Sequence, residues 1–332
     1  MDRLMVTSPP RDVAASGPAR LYELLSNGDR AVWATAALAL AAGRGGSTEL
    51  RRSADAVLAA LGVVIGSPDD PTDHQAGDHK VDRRGVAAQA AAPLHQTSAL
   101  LTDGRAWGSQ PDEALLAQGR ASAQGAAAFE HLGLPFMTGL TEALATPGAR
   151  MLDVGTGVAA MAASYAELFP ELTVVGIDVL PRVLALAEDL LKNSAVADRV
   201  ELREQDVSEL TDEAAFALAW LPAPFVPAAA LQAGVPRIVR SLVPGGWLVV
   251  GHGKFADDPL DVALTRFKTV AYGGTPLSDP QAQSLLIEAG LRDVRTVPTP
   301  VGVPAITVGR RARLHGPDAA SLPARVDPSV RR

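Results

Sequence analysis

Two hydrophobic periods divide this chain. From Leu21 to about residue 148, apolar positions recur at helical spacing. "RLYELLSNGDRAVWATAALALAAG" predicts a helix ending at Gly43. "STELRRSADAVLAALGVV" opens on a Ser/Thr cap and puts Leu50, Ala54, Val57, Leu58 and Leu61 on one face. "GSPDDPTDHQAGDHKVDRRG", residues 66–85, has no period and many breakers, so it reads as a long loop or irregular insert. Helical pattern returns by Ala87. "SQPDEALLAQGRASAQGAAAFEHLG" predicts a long helix, with Ser109 as its cap and Pro111 in its first turn. "PFMTGLTEALATPG" predicts one more, ending at Pro147-Gly148.

After Arg150 short β-like runs alternate with helical ones. "RMLDVG", "LTVVGIDV", "RVELREQDV", "FALAWLP", "GGWLVVG", "LRDVRTVPTP" and "PAITVGRR" read as strands, and helical segments follow the first, second, fourth and fifth of them. Ser278 and Gln281 stand at capping-box spacing before one of these helices. Such alternation predicts an α/β fold: a doubly wound, mainly parallel seven-stranded sheet. A short Pro/Gly turn joins the last two strands, so the last should run antiparallel. The expected organisation has three parts. Residues 1–148 form a mostly helical N-terminal substrate-lid or dimerisation region with the polar insert 66–85. Residues 149–311 form the α/β domain. Residues 312–332 form a disordered tail.

Composition narrows the chemistry. The 332 residues are 47% hydrophobic and 20% charged, ordinary for a globular protein. A net charge of −7 argues against a general nucleic-acid binder. The chain has no cysteine, which removes thiolate nucleophiles and thiolate metal sites, and its His and acidic residues do not cluster at metal-ligand spacing. No metal is therefore expected. The longest apolar run, residues 31–42, falls short of the roughly 18 residues a bilayer span takes. The first residues lack a basic segment followed by an apolar one, so the expected location is the cytoplasm.

"LDVGTGVAA" follows the first predicted strand and carries Gly155-x-Gly157-x-x-Ala160. Glycines there let a ligand approach the backbone, and the following helix offers free N–H groups. Several nucleotide folds share this frame. Three acids discriminate between them. Asp178 closes the second strand, where a carboxylate accepts from ribose hydroxyls. Asp153, two residues before Gly155, suits a cationic ligand and would repel a pyrophosphate. Asp206 closes the third strand and could accept from an adenine amino group.

On these motifs residues 150–310 resemble a class I S-adenosylmethionine-dependent methyltransferase: "LDVGTGVA", "GIDVLPRVLALA", "EQDV" and "LVPGGWLVVG" match successive family motifs. With its N-terminal helices the whole chain resembles bacterial small-molecule methyltransferases of natural-product pathways. The resemblance implies S-adenosyl-L-methionine as cofactor. It places Asp153, Gly155 and Gly157 at the methionine end, Asp178 at the ribose and Val179 on the adenine. It puts Asp206 and Val207 at the adenine edge, and Trp220 with Leu221 toward the methyl group or the acceptor. The implied reaction is O- or C-methylation of a small, aromatic secondary metabolite. The implied assembly is a homodimer through the N-terminal helices, with neither nucleic acid nor membrane as a partner.

Small-molecule O-methyltransferases with such helices often carry a His-Asp-Trp motif after the fourth strand, but here that place reads "AWLPAPFVP". His252, just after the fifth strand, is the substitute base. His131, Phe129, Phe225 and Tyr272 are candidates for the acceptor pocket. Two other readings keep part of the pattern. A non-catalytic S-adenosylmethionine-binding protein would need no base. An NAD-dependent oxidoreductase would explain the glycines and Asp178 but not Asp153.

Overall fold

The structure is a computed structural model, which describes residues 31–42, 48–61, 83–103, 110–254, 259–299 and 304–313. The N-terminal arm, Ser109, nearly all of the 66–85 insert and the tail beyond Arg313 lie outside the described residues. The chain divides into two compact units, residues 1–97 and 98–332.

In the first unit, helix α1 (residues 31–42) and α2 (Thr48–Ala60) meet through Ala37, Ala41, Ala54 and Leu58. Small side chains let the two backbones approach closely. Of the five residues expected on one face of α2, Ala54 and Leu58 are buried, while Leu50, Val57 and Leu61 remain exposed. Helix α3 (Arg83–Asp103) follows and runs across the division at residue 97. None of the helices among the described residues is long and apolar enough to cross a membrane.

The second unit opens with α4 (Asp112–Leu132). Pro111 is its N-cap rather than part of its first turn, and Asp112 and Glu113 complement the helix dipole. The expected next helix is broken in two. A 3₁₀ turn (Leu134–Phe136) and α5 (Leu140–Leu144) flank Gly139, whose φ of 81° interrupts the helix.

Seven strands follow: β1 (Arg150–Val154), β2 (Thr173–Asp178), β3 (Val200–Glu204), β4 (Phe216–Pro222), β5 (Leu242–His252), β6 (Arg292–Val297) and β7 (Ala305–Arg310). Their order is β3-β2-β1-β4-β5-β7-β6, and only β7 runs antiparallel to its neighbours. The helices between them are α6 (Ala160–Leu168), α7 (Pro181–Leu191), α8 (Ala228–Ser241), α9 (Pro259–Ala271) and α10 (Asp279–Glu288). At the start of α10, Gln281 Oε1 accepts from the Ser278 backbone N–H, so the capping-box spacing has its structural counterpart. Strand β5 starts earlier than "GGWLVVG" suggested, at Leu242, with a register shift on β4 and Gly245 at φ 87°.

Alternation along β1 sorts the core into two faces. Met151 faces the layer holding α4 and α6, with Phe129, Leu140 and Tyr165. Leu152 and Val154 face the layer of α8 and α10, with Leu231, Ile238 and Leu286. Strand order reverses between β1 and β4, so the crevice for a ligand opens at their carboxyl ends.

Helix α4 closes one wall of that crevice. A Cβ on Gly119 would lie 2.1 Å from Val158 of the glycine loop, whereas one on Gly125 would meet nothing nearer than Met161 Sδ at 3.8 Å. Both substitutions by alanine gain the same helix propensity. Gly125→Ala should therefore stabilise the protein by about 0.5–1 kcal/mol. Gly119→Ala should destabilise it by about 1–3 kcal/mol through overpacking. Paired urea unfolding curves check both signs.

Candidate functional site

The glycine loop runs from β1 into α6. Gly155 and Gly157 take φ of 62° and 58°, which side chains rarely tolerate. Ala159 takes φ 57° as the N-cap of α6, a strain of about 1–2 kcal/mol held by its complete burial. A Cβ on Gly157 would meet nothing within 4 Å, and one on Gly155 would approach Pro222 Cγ at 3.8 Å. The loop thus leaves open space above its backbone, beside the exit of β4.

Asp178 ends β2 beneath this loop. Its Oδ2 accepts from Gly157 N–H and its Oδ1 from Leu180 N–H, each at 3.0 Å. Burial raises its pKa from the ordinary carboxylate value, while the backbone donors of Gly157, Leu180 and Val179 pull it back down. Val179 follows, an apolar residue with 56% of its surface exposed.

Asp153 is 1% exposed. It stands in register with Gly176 on β2 and Trp220 on β4. Its Oδ2 accepts from Thr156 Oγ1 at 2.7 Å. Gly176 makes this possible, because a Cβ there would sit 2.7 Å from the same hydroxyl oxygen. Burial pushes the Asp153 pKa up to about 7; the Thr156 hydrogen bond lowers it and the Asp178 charge raises it. Thr156 escaped notice in the sequence, although the bare glycine of "VVGID" marks a close approach.

Asp206 caps the 3₁₀ turn Val207–Glu209, accepting from Ser208 N–H at 2.7 Å. Val207 is buried, packed against Gly234 of α8. Trp220, near the end of β4, is half-buried. Its indole lies over Gly251, where a Cβ would be 3.1 Å from the ring. Phe129 meets it edge-on at 6.1 Å and meets Tyr165 at 5.9 Å. Leu221 points the other way, into the core. Phe225 and Tyr272 stack at 4.9 Å with 15° between their planes. Burial raises the Tyr272 pKa.

The two histidines differ. His131 exposes 79% of its side chain on the last turn of α4, 4.0 Å from Glu130. The His252 ring is enclosed and engaged at both nitrogens. Nδ1 is 3.1 Å from the Gly253 carbonyl, which can only accept, so Nδ1 carries the hydrogen. Nε2 then accepts from Thr307 Oγ1 at 2.9 Å. Thr296 and Gln283 continue the chain at 2.9 and 3.0 Å. Burial lowers the His252 pKa; the Gly253 carbonyl and Asp279 oppose that.

Comparison with known proteins follows the same outline. Residues 151–246 match a family model described as a methyltransferase domain. An O-methyltransferase family protein from Burkholderia thailandensis is 18% identical with a TM-score of 0.57, over 90% of this chain and 99% of that one. The mitomycin 7-O-methyltransferase MmcR is 20% identical with a TM-score of 0.55, over 90% of this chain and 100% of that one. Human N-acetylserotonin methyltransferase, solved with S-adenosylmethionine, is 15% identical with a TM-score of 0.55, over 90% and 100%. No curated protein sequence matches the chain. Residues 151–246 thus match a methyltransferase-domain model, and the chain shares the fold of these solved methyltransferases.

Proposed function

We propose that this chain methylates a small, flat aromatic acceptor, at a hydroxyl or an electron-rich ring carbon, within secondary metabolism. The observation that carries this reading is the group of aromatics at and just after the exit of β4: Trp220 over Gly251, and Phe225 stacked on Tyr272. The names of two fold neighbours, a mitomycin 7-O-methyltransferase and an N-acetylserotonin methyltransferase, specify small-molecule acceptors.

The site residues fit the cofactor. The open space over Gly157 admits it, the buried carboxylate of Asp178 suits ribose hydroxyls, and the exposed Val179 suits an adenine face. Asp153 is the carboxyl nearest the methionine end, and Asp206 can serve the adenine edge from its cap position. When bound, the cofactor supplies an electrophilic methyl group for in-line displacement. The protein's part is alignment and exclusion of water. Trp220 and the Phe225–Tyr272 pair would hold a flat ring at the β4 exit, where apolar walls strip water from the attacking atom. His252 is better suited to holding the exit of β5 than to taking a proton, because both ring nitrogens are spent on Gly253 and Thr307.

Three outcomes follow. Asp178→Ala should weaken S-adenosylhomocysteine binding by more than about tenfold, or about 1.4 kcal/mol. Calorimetric titration measures this, with Asp178→Asn separating lost charge from lost packing; an unchanged affinity refutes the ribose role. Phe225→Ala should raise the acceptor KM roughly tenfold and leave S-adenosylhomocysteine affinity unchanged. Steady-state kinetics with phenols and indoles reads the first half, and failure of the natural protein to turn over any acceptor supports a non-catalytic binder. His252→Gln should keep the pH dependence of kcat. Loss of a limb of that profile would restore His252 as the base.

A further inference from the structure

Asp153 occupies a place where a negative charge is hard to keep. It belongs to a row of neighbours across four strands: Gly176, Asp153, Trp220 and Val249. That row faces the layer of α4 and α6. The groups packed around the carboxyl come from every side. Strand β2 brings the bare Gly176 and, two residues on, the Asp178 carboxylate. Strand β4 brings the Trp220 indole. Helix α6 brings Tyr165, whose buried hydroxyl has no hydrogen-bond partner and whose titration responds to Asp153. Helix α4 brings Phe129 against both rings, and the loop brings the Thr156 hydroxyl. Among the described residues, the charge acting on Asp153 is Asp178, of like sign. One hydroxyl donor and a neighbouring carboxylate do not compensate a buried anion.

A cation delivered to the methionine end of the loop would reverse this balance. We propose that Asp153 is protonated in the empty site and gives up its proton when the cofactor binds, so that loading exchanges a cation for a proton. This rests on the S-adenosylmethionine reading above. The carboxyl O–H bond breaks, its proton passes to solvent, and the carboxylate pairs with the α-ammonium of the methionine moiety, directly or through water. No electrons are transferred. The elevated pKa of Asp153, about 7, agrees with the burial and the like charge seen in the geometry.

The pH dependence has a definite sign. Only the ionised carboxyl pairs with the cofactor, so affinity is full above the empty-site pKa and falls as pH drops through it. The decline approaches tenfold per pH unit below about 7. Near pH 6 binding should release about 0.9 proton per site, near pH 7 about half, and by about pH 8.5 almost none.

The test is calorimetric titration with S-adenosylhomocysteine, which keeps the ammonium, in buffers of different ionisation enthalpy. The slope of observed enthalpy against buffer enthalpy counts the protons released. Asp153→Asn should bind with no buffer dependence and an affinity flat with pH. Infrared difference spectra of the natural protein at about pH 6 should show loss of a protonated-carboxyl band on binding. Binding without proton release, or without loss of that band, overturns the exchange. So does an Asp153→Asn protein that still releases the proton, because the proton then comes from elsewhere. If that variant does not fold, the proton count and the infrared band of the natural protein decide alone. Complete failure of the natural protein to bind S-adenosylhomocysteine overturns the cofactor assignment itself, and the exchange with it.

Discussion

The hydrogen bond from Gly157 N–H to the Asp178 carboxylate joins the glycine loop to the neighbouring strand. It ties a backbone turn that side chains would forbid to the end of β2. A charged acceptor is worth more than a neutral one in such a place, and its partial burial makes the bond stronger still. The rest of the crevice depends on it. Thr156 is held between Asp153 and the bare Gly176, Val158 is pressed under Gly119 of α4, and Ala159 is kept in a left-handed conformation at the start of α6. Each of these contacts sets the height of the loop above the sheet.

The order of the strands opens a crevice beside this loop. Because β4 lies beside β1, its exit opens next to the glycines, and Pro222 and Trp220 come within reach of the loop. Because β7 inserts antiparallel between β5 and β6, Thr307 meets His252 at the end of β5. The same insertion that completes the sheet therefore occupies the histidine that sequence position alone nominates as a base. Position at the carboxyl end of a strand is not enough to make a base; a nitrogen must also be left open toward the crevice.

Much of the fold was legible because strands and helices differ in period, and "LDVGTG", "VVGID" and "VPGGW" punctuate them unmistakably. The place of Asp178 at the end of β2 was legible because its strand ends in a motif. Other features depended on contacts between distant segments. Gly139 and the break before α5 looked like an uninterrupted helical pattern, since a single glycine is compatible with either. Thr156 carries no motif weight, and its role appears only when Gly176 is brought beneath it. The division between compact units falls near residue 97, within α3, which composition does not signal. Leu50, Val57 and Leu61 kept their helical spacing yet stay exposed, while Ala54 and Leu58 pack on Ala37 and Ala41 of α1.

The central claim is that an adenosyl amino acid lies across the β1 and β4 exits with its ribose on Asp178. A crystal structure of the chain with S-adenosylhomocysteine tests this most directly. The account predicts both ribose hydroxyls within hydrogen-bond distance of the Asp178 carboxylate, the adenine against Val179, and the homocysteine end over Gly155 and Gly157 with its ammonium toward Asp153. A ligand bound elsewhere, or one whose ribose makes no contact with Asp178, would contradict it.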